Sequence, residues 1–113
     1  MKRYRIVEYN PDTWVVLKIT NEQETIYKVL AGWSGGYLSG DSWRMNSGIT
    51  EVKQDGDYYE FYGYSGSCYR CDKDTYRLTM ANGGVYNSIK KQEAFDGQII
   101  LMPEDTNWME IEW

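Results

Sequence analysis

At 113 residues, with 11 Tyr and 5 Trp against only 2 Pro, the chain fits one compact domain, 1–113, that can bury roughly 65% of the surface its unfolded form exposes. A net charge of −5 argues against nonspecific binding to nucleic acid, which requires a basic face that releases counterions. Histidine is absent, which removes Ser-His and Cys-His nucleophile pairs, and no apolar run reaches the roughly 18 residues of a membrane span.

Arg3 to Tyr9 alternates, Asn10-Pro11-Asp12 supplies turn chemistry and Thr13 to Thr20 is strongly β-prone, which together predict a hairpin. Trp14 and Val16 lie on one face of the second segment and Val15, Leu17 and Ile19 on the other. A strand apolar on both faces belongs in the middle of a sheet. After a polar turn at Asn21 to Glu24, Thr25 to Gly32 reads as a third strand. Trp33 to Gly48 has no helical or strand period and reads as a long structured loop, a kind of segment that usually carries function.

Asp55-Gly56 marks a hairpin between Ile49–Lys53 and Asp57–Tyr64, with Tyr59 and Phe61 on an apolar face and Tyr58, Glu60, Tyr62 and Tyr64 on a partly wet one. Ser67 to Cys71 and Thr75 to Met80 read as strands. Asn82 can cap a helix over Val85 to Phe95, and Gln98 to Met102 and Trp108 to Trp113 read as the last strands. The expected fold class is α+β, a mostly antiparallel sheet of six to eight strands with one short helix near residues 85–95.

One pattern occurs twice. Tyr27 to Gly35 ends Gly32-Trp33-Ser34-Gly35, and Tyr58 to Gly66 ends Gly63-Tyr64-Ser65-Gly66. Both copies read as a strand entering a glycine turn at positive φ. Two such turns could cradle an anion through backbone N–H groups, with Ser34, Ser65 and Ser67 as hydroxyl donors, Trp33, Tyr37, Tyr64 and Tyr69 as stacking faces, and Arg44 and Arg70 as forked cations. The alternative is a pair of structural turns at one edge of the sheet. Trp43, with Arg44, is the further candidate contact, because large aromatics and arginine make the strongest binding anchors.

Cys68 and Cys71 have the two-residue spacing of a metal knuckle or redox pair, but a closed zinc site needs four ligands and the chain has no third cysteine. Two reduced thiols, a local or intermolecular disulfide, and a metal shared in an oligomer remain open. No cofactor is implied and no catalytic constellation is present.

The stretch Gly36-Tyr37-Leu38-Ser39-Gly40-Asp41-Ser42-Trp43-Arg44-Met45-Asn46-Ser47-Gly48-Ile49-Thr50, followed by Tyr62-Gly63-Tyr64-Ser65-Gly66-Ser67-Cys68-Tyr69-Arg70-Cys71, resembles a group of small accessory proteins of tailed bacteriophages over residues 13 to 113. That group has no assigned activity, so no residue role is carried over. Where its members place histidine beside the cysteine pair this chain has Asp72, which weakens a metal reading. The resemblance implies a non-enzymatic protein in the cytoplasm of the infected bacterial host, active in counter-defence or host takeover. It would bind and block a host defence protein, or sequester a small anionic nucleotide-like immune signal. The alternative is a virion-associated protein that forms homo-oligomers through an exposed edge strand.

Overall fold

Thr13 to Leu17 are all buried within β2 (Thr13–Thr20), as a strand apolar on both faces requires. The structure, a computed structural model, describes residues 7–36, 40–78, 80–92 and 98–113. Around β2 it arranges β1 (Val7–Tyr9), β3 (Thr25–Gly36), β4 (Gly40–Met45), β5 (Ile49–Asp55), β6 (Tyr58–Gly63), β7 (Ser67–Asp72), helix α1 (Met80–Gln92) and β8 (Gln98–Leu101). The eight strands and one α-helix among the described residues match the expected class. They form two four-stranded sheets, ordered β1-β7-β6-β5 and β4-β3-β2-β8, where one sheet was expected. Every strand pairing is antiparallel except that of β1 with β7.

The two faces of β2 build two cores. Trp14 and Val16 join Val29, Ala31, Phe61, Tyr69, Cys71 and Trp108 between the sheets. Val15 and Leu17 join Leu30 and Ile99 on the other side, where Val85, Tyr86 and Ile89 of α1 pack against them. The layers therefore run sheet, sheet, helix. At the centre the Trp14 ring lies 4.7 Å from Tyr76, 5.4 Å from Phe61 and 5.8 Å from Trp108, and its Nε1 donates to the Asp72 carbonyl at 2.7 Å.

Four local expectations are corrected. Tyr9 and its neighbours form no hairpin with β2, since β1 runs parallel to β7 in the other sheet. The edge of β2 at Trp14 to Val16 is already occupied: Arg77 N donates to the Trp14 carbonyl, Met102 N to the Val16 carbonyl, and Val16 N to the Tyr76 hydroxyl. Trp33 to Gly48 is largely strand, because β3 continues to Gly36 and pairs Ala31 with Arg44, Gly32 with Trp43 and Trp33 with Ser42. Glycine and serine leave no side-chain period there, yet their backbones still pair. The helix begins at Met80 and runs through Gly83 and Gly84, because the packing of Val85, Tyr86 and Ile89 on the sheet offsets the poor helix propensity of glycine; Phe95 and Gly97 lie outside the described residues.

The fourth correction concerns the two expected strands at Thr75 to Met80 and Trp108 to Trp113. Lys73–Thr75 is a 3-10 turn capped by the Asp72 carboxylate, followed by a single bridge from Tyr76 to Trp14. Trp108–Glu110 is another, capped by the Asn107 side chain, and it drives the Trp108 ring into the core. The hairpin joins the two segments expected of it and Phe61 is fully buried, but β5 runs on to Asp55, which pairs with Tyr58, so the turn residues are Gly56-Asp57 rather than Asp55-Gly56.

Two glycine substitutions separate these elements. A Cβ at Gly84 meets nothing within 4 Å, so Gly84→Ala should raise stability by about 0.5–1 kcal/mol in urea unfolding, as expected of an exposed helix interior. Gly66 has φ +86°, so Gly66→Ala should lower it by about 1 kcal/mol. Trp14→Ala should cost about 3–5 kcal/mol by the same measurement.

Candidate anion-binding cleft

Beyond Met45 the strand β4 stops, but the chain stays tied to β3 through one residue. Asn46 N donates to the Val29 carbonyl at 3.1 Å, and Asn46 Oδ1 accepts from Val29 N at 2.9 Å. The asparagine thus pairs with β3 by backbone and side chain together, and the acceptor role of Oδ1 fixes which end of the amide is Nδ2. Asn46 is only 4% exposed, and its Nδ2 has no hydrogen-bond partner.

Next to this amide the β4–β5 connection meets the β6–β7 turn. Ser65 N donates to Ser47 Oγ at 3.0 Å, and the Ser65 hydroxyl lies 3.3 Å from those of Ser47 and Ser67. The turn closes with Gly66 N donating to the Gly63 carbonyl at 3.1 Å. A Cβ at Gly63 would stand 3.2 Å from Ser47 Oγ, 3.3 Å from the Gly48 carbonyl oxygen and 3.4 Å from Asn46 Nδ2, so this buried contact is tight enough to favour glycine.

Asn46, Ser47, Ser65, Gly66 and Ser67 line a cleft of 480 Å³ that Lys28, Arg44, Tyr9 and Tyr69 also border. The Arg44 guanidinium lies 4.7 Å from the centroid of the Tyr9 ring, and the Tyr69 ring 4.9 Å from it. Burial pushes the Tyr69 hydroxyl up to about 12, against the opposing pull of the Arg44 charge. Tyr69 is therefore a neutral phenol at physiological pH. Two cations, three serine hydroxyls, two tyrosines and one side-chain amide border the cleft, and no carboxylate does among the described residues.

Arg44, Ser65 and Tyr69, named from sequence, meet in this cleft, with Tyr69 as a buried wall at 2% exposure. Trp33 stands beside them: its Nε1 donates to the Asn10 carbonyl at 2.9 Å, and its ring meets the Tyr9 ring edge-on at 6.3 Å. Ser34 belongs to β3, and Tyr37 lies outside the described residues. Trp43 and Tyr64 point elsewhere, 49% and 70% exposed. Arg70 is engaged within the protein, 2.9 Å from both Asp55 and Glu60, with its guanidinium 4.3 Å from the Tyr58 ring centroid.

The two glycine turns do not face one another. Gly32-Trp33-Ser34-Gly35 stays extended because β4 pairs with it, and positive φ falls at Gly66 rather than at Gly32 or Gly63. The second turn lines the cleft instead with the Asn46-Ser47 connection. Tyr9, Lys28, Asn46 and Ser47 were not legible as site residues. Lys28 sits in an ordinary strand, and Asn46 acquires meaning only once Val29 claims its Oδ1.

Cys68 and Cys71 are both buried free thiols. Their spacing along β7 puts them on opposite faces, so no local disulfide can form. Cys71 lies in the inter-sheet core, where burial raises its thiol well above the ordinary range. Cys68 brings its sulfur within 4.8 Å of carboxylate oxygens of Glu8 and Glu60. Burial and then the Glu60 charge raise its thiol, and Glu60 is already paired with Arg70. The trio is a set of metal-capable donors whose thiol is protonated and one of whose carboxylates is occupied.

The native protein should be inert to a thiol-reactive dye and release two equivalents of thiol on unfolding. Burial raises Tyr69 and Tyr76 to about 12, so their folded form holds its protons while an unfolded tyrosine loses them near 10. The stability these two groups contribute is complete below pH 10 and is lost between about pH 10 and 12, which a melting series across that range will show. Scanned against protein-family models, curated proteins and solved structures, the chain finds no match.

Proposed function

We propose that the chain is a bacteriophage accessory protein that acts by binding in the cytoplasm of the infected host, and that it sequesters a small anionic, nucleotide-like ligand in the cleft. The phage assignment draws support from the motif resemblance at Gly36 to Thr50 and Tyr62 to Cys71. The binding mode draws support from one observation: a chain of net charge −5 presents Lys28 and Arg44 to a 480 Å³ cleft with no carboxylate among its described lining residues. A local positive field inside an acidic molecule has to be built by placement. Among the described residues, no helix is long and apolar enough to cross a membrane.

The cleft's groups have matching chemistry. Arg44 can present a fork to an oxyanion while its plane rests against Tyr9, Lys28 supplies a point charge, and the serines add adaptable donors. A panel of linear and cyclic nucleotides, assayed by thermal unfolding, tests the reading. A ligand at 100 times its dissociation constant should add about 2.7 kcal/mol of stability. Lys28→Ala and Arg44→Ala should each remove that gain without lowering the ligand-free melting temperature. No shift from any member of the panel would sink the proposal.

The second reading is direct blockade of a host protein, favoured by the exposed rings of Trp43 and Tyr64. Isolated large aromatics at the surface suit a partner's pocket. Under this reading Trp43→Ala and Tyr64→Ala weaken host-protein binding and spare nucleotide binding. The reverse pattern would return the function to the cleft.

A further inference from the structure

We infer that Asn46 Nδ2 is the donor that selects the ligand of this cleft, and that the group it selects is a terminal phosphate monoester. This inference rests on the reading of the cleft as an anion site and adds which group enters it and which residue recognises it. A buried amide N–H without a partner costs about 1–3 kcal/mol. Asn46 carries that cost at 4% exposure, and the amide cannot turn over to relieve it, because Oδ1 is held by Val29 N. A donor fixed in direction, buried and unspent beside a cationic cleft matches an acceptor oxygen from outside the chain.

The composition of the cleft selects among oxyanions. Lys28 and Arg44 supply two positive charges, and a phosphate monoester carries about −1.5 to −2 near pH 7, whereas a carboxylate or phosphodiester carries −1. The monoester also has three terminal oxygens to spread over Asn46 Nδ2, the hydroxyls of Ser47 and Ser65, and the two cations. A carboxylate has two oxygens and so fewer acceptor sites to spread over the same five groups. Gly63 packs directly against the amide, where a Cβ would crowd both Asn46 Nδ2 and Ser47 Oγ.

The test uses full-length protein labelled with ¹⁵N, titrated with inorganic phosphate, adenosine 5′-monophosphate and adenosine 3′,5′-cyclic monophosphate. The Asn46 side-chain amide resonance should move in step with saturation by the first two, and the cyclic diester should bind at least tenfold more weakly. Asn46→Asp keeps an acceptor for Val29 N and replaces the donor with a repelling oxygen, so phosphate affinity should fall roughly 10- to 100-fold. Should that variant fail to fold, the amide resonance of the unmodified protein decides.

Phosphate binding that Lys28→Ala and Arg44→Ala abolish, with an unmoved Asn46 amide or an unaffected Asn46→Asp, would overturn the role of Asn46 and leave the anion-site reading standing. Equal affinity for monoester and diester would overturn the choice of ligand. Absence of binding by all three probes would remove both.

Discussion

Trp14 is the constraint on which the two sheets depend. Its ring is 1% exposed and meets Tyr59 and Phe61 of one sheet together with Tyr76 and Trp108 of the connecting segments. Its one polar atom cannot be left dry in such a place, and the bond from Nε1 to the Asp72 carbonyl resolves this. Asp72 is the last residue of β7, and its carboxylate caps the turn at Lys73–Thr75. One indole therefore links β2 to the end of β7 and sets where the chain leaves that sheet. Tyr76 repeats the device with a hydroxyl that accepts from Val16 N and donates to the Met102 carbonyl.

This aromatic centre explains where a cleft can open. The ring packing gives way beyond Tyr69 and Tyr9, where the ends of β4 and β6 stop facing large side chains and meet serine, glycine and asparagine instead. Short polar residues there hold one another by hydrogen bonds, so their donors are fixed by the fold itself. Preorganised donors at the rim of an apolar core act with little reorganisation and reduced screening, which raises the worth of each contact. The protein's overall acidity does not weaken this, because among the described residues the carboxylates lie outside the cleft lining.

Several residues with the look of function serve the fold instead. Arg70 sits between Asp55 and Glu60 against Tyr58, joining β5, β6 and β7 on the outer face of their sheet. Cys71 is a small apolar filler in the core, and Cys68 is buried on the opposite face. Trp33 meets the Tyr9 ring edge-on and donates to the Asn10 carbonyl. Residue type alone could not separate these from Arg44. What separates them is whether a partner of opposite charge or matching shape lies within reach in the folded chain.

The sequence by itself determined the elements whose signals are local. The doubly apolar β2, a hairpin turning at Gly56 with Phe61 inward, and the presence of one helix before the last strand all follow from periodicity and turn chemistry, which act over a few residues. Only the tertiary structure decided the partner of β1, the pairing of Gly32 and Trp33 with β4, the 3-10 turn that buries Trp108, and the gathering of Lys28, Arg44, Asn46 and the three serines around one cleft. Those outcomes depend on backbone hydrogen bonds and ring contacts between residues 9 to 94 positions apart. At such separations glycine and serine carry no pattern, and an asparagine amide gains its direction from a strand 17 residues away.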